Sequence, residues 1–511
     1  MINMKRHSLI LGVIVTFGLV LRAAGIASRS LWFDEAFSWR VVSFPMMDMI
    51  GRVARDNHPP LYFILLKVWT SAFGTSEVAL RSLSVLFGGA TVVAAAALAR
   101  EVVRARPGGD GEARTVISAG LISAALVAAS VVQIRWAWET RMYTLGTALA
   151  ACTSWIMLRA IRTRRLRDWI LYGITSLMFA YTHYYSVFSL FAQALYVACL
   201  FLLPPGRGPK RGCAAPAAGH LLIASAIVVV GWSPWLPVFL AQRRQVSENY
   251  WTSPVRSEDI YRGMYRLFLT PENGGVDPTL AWSATAVAAL ATLALLIFRP
   301  GGGEIYLATA ALLPLASAIA LSQLGTDVYH PRYLLFGHVH FVVGAGVLVA
   351  RIRGAGVRRG LAALLLANAL LIDVGFWIHM RIYERPGMRS AIALVNSRWQ
   401  PGDRIVVSHS LLFPSVLYYS SSAHGCYLYD DGTPVPHYAG AQVILPGESA
   451  DESTLADFST GRVWTINMRR GGWGFHRVPQ LAGWRRVEER RFDEAYDVQG
   501  QIFVVLYEIV R

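Results

Sequence analysis

Apolar runs of about 20 residues recur through most of this chain and are separated by short polar loops. A run of that length, wound as a helix, matches the thickness of the hydrocarbon core of a bilayer. Hydrophobic residues make up 54% of the 511 positions and charged residues only 16%, which is unlike a soluble globular domain. The sequence therefore predicts a polytopic α-helical membrane protein.

The distribution of positive charge indicates which loops face the cytoplasm. The formal net charge is +16, which could suggest a nucleic-acid partner. The basic residues, nearly all arginines, instead gather in short loops between apolar runs, for example around Arg104, Arg164 and Arg358. Such loops are typical of the cytoplasmic side of a membrane protein. We therefore predict no nucleic-acid binding.

Alternation of sides along the chain predicts about 11 crossings. Lys5 and Arg6 place the start of the first span in the cytoplasm, so an odd count puts the C-terminal region outside. The apolar run Leu61–Phe73 is too short to cross and carries Lys67, which favours a re-entrant or surface helix. The first run could be a signal peptide, but Arg22 and the lack of an A-x-A cleavage site favour a retained helix. The predicted spans cover residues 7–26, 78–99, 116–132, 143–158, 169–185, 187–203, 220–235, 280–298, 305–321, 333–350 and 361–379.

The chain divides into two predicted domains. Residues 1–380 form a transmembrane domain whose first external loop, 28–77, carries the candidate chemistry, and residues 381–511 form a small soluble α/β domain. In the second domain the patterns predict strands at 404–408, 442–445 and 501–510 and helices at 411–419 and 481–489. The localisation predicted is a multi-pass plasma-membrane protein with this domain and the site on the extracytoplasmic side.

The first external loop begins with two adjacent carboxylates, Asp34 and Glu35, just beyond the first span. Charges at the edge of the hydrocarbon are costly unless they pair or line a polar cavity. Apolar residues then recur every three or four positions from Phe37, which predicts a helix in the membrane interface, bent at Pro45. The sequence His58-Pro59-Pro60 ends the loop. We interpret this stretch as a catalytic loop on the membrane surface.

Other polar residues fall at external span ends and join these acids in one candidate constellation. Arginines there could instead snorkel or pair with acids, a histidine before prolines could serve a turn, and tyrosines could form an aromatic belt. The candidates for binding a donor phosphate or sugar are His58, Arg81, Glu139, Arg141, Tyr143, His183, Tyr184, His330, Arg332 and Tyr333. Asp327 belongs to the same external group.

A polyprenyl-phosphate sugar is the substrate that suits such a site. Its lipid tail stays in the bilayer, and the guanidinium fork of arginine matches phosphate oxygens. Phosphate is a good leaving group, so the reaction needs one carboxylate base to deprotonate the attacking hydroxyl, and direct displacement inverts the anomeric carbon. A cytoplasmic nucleotide-sugar enzyme would need a Gly-rich phosphate loop, which the basic loops lack.

Several motifs carry a family resemblance. LWFDEAFSW, DNHPPLYFILLKVW, FGTSEVALRSLSVLFG, WETRMYTLG and YTHYY, with HPRYLLF at 330–336, resemble the GT-C membrane glycosyltransferases. The similarity covers roughly residues 8–200 and is greatest to the dolichyl-phosphate-mannose protein mannosyltransferase and aminoarabinose transferase group. The resemblance implies a GT-C fold, an extracytoplasmic site and inverting transfer from a polyprenyl-phosphate sugar. It assigns the catalytic acid to Asp34 with Glu35 beside it, and a second acid to Glu139.

Two features differ from the group and leave the substrates open. The mannosyltransferase branch carries a sensor domain in mid-chain that is missing here, and the aminoarabinose branch has a lysine near the position of His58. The donor sugar could therefore be mannose- or arabinose-like, and the acceptor a hydroxyl of a glycan, lipid or protein. We predict no cofactor, because no metal-ligand spacing is present, and leave a divalent cation as an option. The alternative is a lipid or glycan transporter, which should show polar positions at mid-span and internal repeats.

Overall fold

A computed structural model describes most of the chain. The described residues are 2–105, 112–202, 217–248, 255–268, 278–298, 301–324, 328–380, 384–421, 425–458, 461–470, 474–495 and 500–510. Twenty α-helices and seven strands lie in these ranges. The helices are α1 (Ile2–Ala24), α2 (Phe33–Ser43), α3 (Met46–Ala54), α4 (Leu61–Phe73), α5 (Glu77–Arg104), α6 (Glu112–Ala128), α7 (Val131–Trp136), α8 (Tyr143–Thr163), α9 (Leu166–Ala180), α10 (Ser186–Leu202), α11 (Ala218–Trp232), α12 (Leu236–Glu248), α13 (Ser257–Phe268), α14 (Pro278–Ile297), α15 (Gly302–Gln323), α16 (Leu335–Ala350), α17 (Ala355–Met380), α18 (Gly387–Ser397), α19 (Phe413–Tyr419) and α20 (Glu452–Ala456).

The membrane-spanning character predicted from the sequence is confirmed. Within the described residues, seven helical segments are long and apolar enough to cross a bilayer. Six of them begin in α1, α5, α8, α11, α15 and α17, and the seventh consists of α16 with the short 3-10 turn before it. The four remaining predicted spans coincide with α6, α9, α10 and α14. Helix α4 has the bounds predicted for the short surface helix, Leu61–Phe73.

The described residues divide into two compact units. The first contains residues up to Gly25, Arg81–Ala241 and Thr252–Phe376, and so holds most of the apolar helices. The second contains Ile26–Leu80, the end of α12 from Gln242, and the chain from Trp377. The first external loop therefore folds together with the C-terminal domain.

The helices of the first unit pack closely through small residues and buried polar contacts. Gly346 of α16 lies so near α6 that an added Cβ would sit 2.2 Å from Ser123 Oγ, and this hydroxyl donates to the carbonyl of Val343. Small residues let membrane helices approach in this way. Arg22 of α1 is fully buried and donates to the carbonyls of Val127 (3.0 Å) and Ala128 (2.9 Å). The first apolar helix thus packs as part of the bundle.

The C-terminal domain is built on one mixed sheet. Its strands are β1 (Arg404–Val407), β2 (Gly425–Tyr429), β3 (Ser449–Ala450), β4 (Arg462–Arg470), β5 (Gly474–His476), β6 (Trp484–Asp493) and β7 (Gln501–Ile509). The order is β3-β2-β1-β4-β7-β6, with β5 also paired to β4. The pairs β1–β2, β1–β4 and β2–β3 are parallel, and β4–β7 and β6–β7 are antiparallel.

Two secondary-structure predictions for this domain are wrong. Residues 442–445 do not form a strand, because Ala441–Val443 is a 3-10 turn. Residues 481–489 do not form a helix, because Trp484–Asp493 is strand β6. Its arginines and glutamates favour a helix locally, but they form the exposed side of an edge strand, where charge is common. Pairing with β7 overrides the local preference.

Candidate active site

The two predicted catalytic acids lie in the first turn of α2. The carbonyl of Trp32, directly before α2, accepts hydrogen bonds from the backbone amides of Glu35 and Ala36 at 3.0 Å. Glu35 is fully buried, and its carboxylate lies 3.4 Å from Nη1 of the equally buried Arg29. Asp34 is half-buried. Of the two acids, only Asp34 keeps part of its surface exposed.

Later residues of the external loop make contacts at the end of α2 and in the turn before α4. Lys67 of α4 donates to the carbonyls of Val42 (2.9 Å) and Phe44 (2.6 Å), which satisfies acceptors left free at the C-terminus of α2. His58 Nδ1 lies 2.9 Å from a carboxylate oxygen of Asp56, and both side chains are buried. The helical conformation predicted from Phe37 is present as two helices, α2 and α3, and the chain bends between them at Pro45 as expected.

The C-terminal domain holds the N-terminal side of the loop. Tyr419 accepts from the amide of Leu31 at 2.7 Å and donates to the Glu77 carboxylate. Arg389 pairs with Glu77 and also donates to the carbonyls of Ala27 (3.1 Å) and Arg29 (3.0 Å). Asp34 is therefore carried on a segment that is fixed by hydrogen bonds to side chains more than 300 positions later.

Further contacts hold α2 and α3 themselves. Arg40 pairs with Glu448 at 2.5 Å, and Arg52 donates to the carbonyl of Gln442 at 2.5 Å. The Gln442 side-chain amide in turn donates to the carbonyl of Arg55, the residue after α3, at 2.8 Å. This last contact satisfies a helix-end acceptor that would otherwise need water.

A second group of predicted residues meets around Tyr333 in the first unit. Three stretches of chain supply it: the start of α8, the turn between α9 and α10, and the turn before α16. The ring centroids of four neighbours lie between 4.7 and 6.5 Å from that of Tyr333, namely Tyr143, His183, Tyr185 and His330. The Arg332 guanidinium lies 5.9 Å from the same ring and donates from Nε to His330 Nδ1 at 3.2 Å.

The remaining candidates have other neighbours in the same unit. Glu139 is fully buried and pairs with Arg135 at 2.8 Å. Arg81 and Arg141 are buried. The Tyr184 hydroxyl accepts from Trp235 Nε1 at 2.9 Å.

The structure thus distributes the predicted site residues between the two units. Asp34, Glu35 and His58 belong to the unit with the C-terminal domain, and the others belong to the helical unit. Asp327 lies outside the described residues. Sequence reasoning missed Arg29, Arg389 and Tyr419, because an isolated arginine or tyrosine gives no signal of a partner so distant in sequence. Where the structure describes the chain, no three His, Cys, Asp or Glu side chains are grouped to hold a metal ion.

Comparison with known proteins agrees with these features. Residues 57–237 match the family described as dolichyl-phosphate-mannose-protein mannosyltransferase. The crystal structure of ArnT from Cupriavidus metallidurans bound to undecaprenyl phosphate superposes with a TM-score of 0.61 and 13% identity, covering 96% of this chain and 97% of that one. Its apo state gives a TM-score of 0.61 at 12% identity over the same shares of the two chains. No curated protein matches by sequence. The fold and the family resemblance predicted from the motifs are confirmed.

Proposed function

We propose that this chain, a membrane glycosyltransferase with the GT-C fold, moves a sugar from a polyprenyl-phosphate donor to a hydroxyl of an extracytoplasmic acceptor, with Asp34 as the general base. The observation that carries the proposal is the contrast between two adjacent acids. Glu35 is buried against Arg29, whereas Asp34 keeps part of its surface exposed on the same turn of α2. A general base must come within hydrogen-bonding distance of the proton that it removes.

The proposed reaction is a single displacement. The acceptor oxygen attacks the anomeric carbon, its proton passes to the Asp34 carboxylate, and the bond from that carbon to the phosphate oxygen breaks. Polyprenyl phosphate leaves with the bonding electrons, so the anomeric configuration inverts. The leaving group is already a weak base and needs no general acid.

Arginine is the proposed partner of the donor phosphate. Arg332 sits at the end of a span, where a phosphate on a membrane-embedded tail would lie, and His330 and Tyr333 hold its guanidinium in place. Arg81 and Arg141 are the other candidates, and the tyrosines around Tyr333 offer faces on which a sugar ring can stack. The solved structure of the same fold with undecaprenyl phosphate supports a donor of this class.

The reaction itself is tested with labelled donors. Membranes containing the protein are given a labelled sugar either on polyprenyl phosphate or on a nucleotide, with empty-vector membranes as the control. We expect transfer from the polyprenyl-phosphate sugar alone, release of polyprenyl phosphate, and a product of inverted configuration. Transfer from the nucleotide sugar alone would contradict the proposal. Because arginines serve the phosphate here, we also expect activity to persist in EDTA.

A transporter remains the second candidate because one buried polar network lies within the helices. The Ser154 hydroxyl of α8 lies 2.5 Å from Tyr306 Oη of α15 and 2.7 Å from His340 Nε2 of α16. His340 Nδ1 lies 2.8 Å from the Phe336 carbonyl, so the network is hydrogen-bonded throughout and joins three helices. Such a closed network also serves helix packing. A transporter would deliver intact lipid-linked sugar across vesicles, whereas the enzyme cleaves it.

A further inference from the structure

A polar cavity of about 900 Å³ opens in the C-terminal domain, outside the residues proposed for catalysis. It lies where the ends of β4, β6 and β7 meet the segment that leads into α18. Its charged lining consists of Arg385, Arg469, Arg470, Arg491, Asp493 and Glu494. Four guanidinium groups thus face two carboxyl groups.

Both carboxyl groups of the cavity already have partners, which leaves it with an excess of positive charge. Asp493 pairs with Arg491 at 3.0 Å. Glu494 accepts from the amide of Met388 at 2.7 Å, and burial raises the pKa of its carboxyl to about 7. Among the residues that the structure describes, no carboxylate pairs with Arg385 or Arg469.

The arginine content of the chain does not by itself explain this arrangement. On the neighbouring strand β6, Arg485 pairs with Glu508 at 2.5 Å, Arg486 with Glu489 at 2.9 Å and Arg490 with Glu488 at 2.6 Å. Surface arginines of this domain are therefore generally matched by glutamates. The cavity differs, because Arg385 and Arg469 line it without a paired carboxylate among the described residues, and an added anion would reduce the repulsion between its positive charges.

A glycine lines the cavity where two strands approach each other closely. Gly500, directly before β7, has φ of +63°, and an added Cβ would sit 2.3 Å from the carbonyl oxygen of Arg469. A larger residue would push into the end of β4, which carries two of the four arginines. The glycine allows the close approach that brings both strands to the cavity.

Phosphate is the anion that this chemistry suits. Guanidinium groups bind phosphate oxygens through paired, charge-assisted hydrogen bonds, and several arginines can share one phosphate. Arg385 follows only seven positions after Ile378, where the last candidate span ends, so the chain between them can reach over at most roughly 25 Å. That short connection favours a phosphate carried by a membrane lipid.

We propose that this cavity binds the phosphate headgroup of an anionic membrane lipid. The inference goes beyond the proposed glycosyl transfer and does not depend on it, because it concerns binding by residues other than Asp34. The lipid is an anchor or a substrate that presents its phosphate to the domain. The same chemistry would accept a soluble phosphate compound, and the experiment separates the two sources.

The test uses the purified full-length protein in an uncharged detergent. Dioctanoyl phosphatidic acid, dioctanoyl phosphatidylcholine and inorganic phosphate are titrated separately, and heat or fluorescence reports binding. We expect saturable binding of phosphatidic acid, roughly tenfold weaker binding of the zwitterionic lipid, and weakening of the first by salt. Inorganic phosphate that binds as tightly as phosphatidic acid would overturn the assignment to a lipid.

Variants assign the binding to the cavity. Arg469→Gln with Arg470→Gln should weaken phosphatidic acid binding by about tenfold or more. The matched control, Arg485→Gln with Arg486→Gln, removes the same charge from exposed positions of the same domain and should leave binding unchanged. If the first pair does not fold, Arg385→Gln alone should give a smaller loss in the same direction.

The outcomes separate this inference from the catalytic proposal. Asp34→Asn should bind phosphatidic acid as the wild type does, whatever its activity. Equal losses in the cavity variant and its control would show that bulk charge attracts the lipid, and the cavity assignment would then be wrong. Lack of saturable binding to the wild type would also overturn it.

Discussion

Arg29 and Glu35 form an ion pair in which Nη1 lies 3.4 Å from Oε2, although both side chains are almost fully buried. A buried charge without its partner is far more costly than the intact pair is favourable. The pair therefore fixes the first turn of α2 and, with it, the direction of the neighbouring Asp34. The two adjacent acids therefore differ in environment, since Glu35 is buried in this pair and Asp34 keeps part of its surface exposed.

Glu35→Gln should destabilise the protein because it removes the carboxylate that pairs with the buried Arg29 guanidinium. We expect a loss of about 3 kcal/mol in the free energy of unfolding, measured by denaturation of the detergent-solubilised protein. Asp48→Asn is the matched control. Asp48 lies on the next helix with a half-exposed ion pair to Arg52, so its loss should change stability by less than about 1 kcal/mol. Equal effects would mean that the Arg29–Glu35 pair has no special role.

Tyr419→Phe should lower turnover without abolishing the fold. The change removes the hydrogen bonds to the Leu31 amide and the Glu77 carboxylate, so the segment before Asp34 loses part of its anchoring. Small misplacements of a catalytic group reduce rates strongly, and we expect a fall of about tenfold in kcat with donor KM nearly unchanged. Tyr429→Phe, which removes an exposed hydrogen bond to Glu452, should retain full turnover. A rise in donor KM alone would contradict the positioning role of Tyr419.

Glu494 should make stability fall as pH rises. Burial raises the pKa of its carboxyl from 4.5 to about 7, outweighing the nearby charges of Arg29 and Arg389, which lower it. The folded state therefore binds the proton more tightly than the unfolded state. The resulting stabilisation is complete below the unfolded pKa near 4.5 and is lost as pH rises through about 7.

The comparison that isolates this effect is wild type against Glu494→Gln. Up to about 3 kcal/mol of pH-dependent stability should disappear in the variant, because the amide stays neutral and can still accept from the Met388 amide. The measurement is Tm at about pH 5 and at about pH 8. Between these two values, Tm should fall by several degrees more in the wild type than in the variant. Identical pH slopes would refute the assignment to Glu494.

The side of the membrane can be tested by thiol labelling. The half-buried Cys426 is a poor reporter, because burial raises the pKa of its thiol to about 11 and leaves little reactive thiolate. Ser397→Cys introduces an exposed thiol at the end of α18. An impermeant maleimide should label it in intact cells, whereas Cys213, in a loop predicted to be cytoplasmic, should react only after lysis. Labelling in the reverse order would place the C-terminal domain in the cytoplasm.

The sequence predicted the membrane architecture well because hydrophobic length is a local property. Helix α4 was predicted to the residue, since Pro60 precedes it and Gly74, with φ of +80°, ends it. Lys67 was read only as an obstacle to spanning, but the structure uses it to cap α2. That role depends on how two helices pack, which periodicity does not encode.

Long-range partners account for what the sequence could not reveal. Nothing near Asp34 in the chain points to Tyr419 or Arg389, and the strand β6 resembles a helix until its pairing with β7 is known. The grouping around Tyr333 was foreseen, because alternation of sides put its three segments at external span ends. The catalytic and binding roles of these residues remain predictions.

The most direct test of the central claim is the turnover of Asp34→Asn with a polyprenyl-phosphate sugar donor. The substitution keeps the size and the helical turn and removes the basic carboxylate. We predict that kcat falls by at least about a hundredfold while donor binding and thermal stability stay near those of the wild type. Turnover equal to that of Asp48→Asn and wild type would contradict the assignment of Asp34 as the general base.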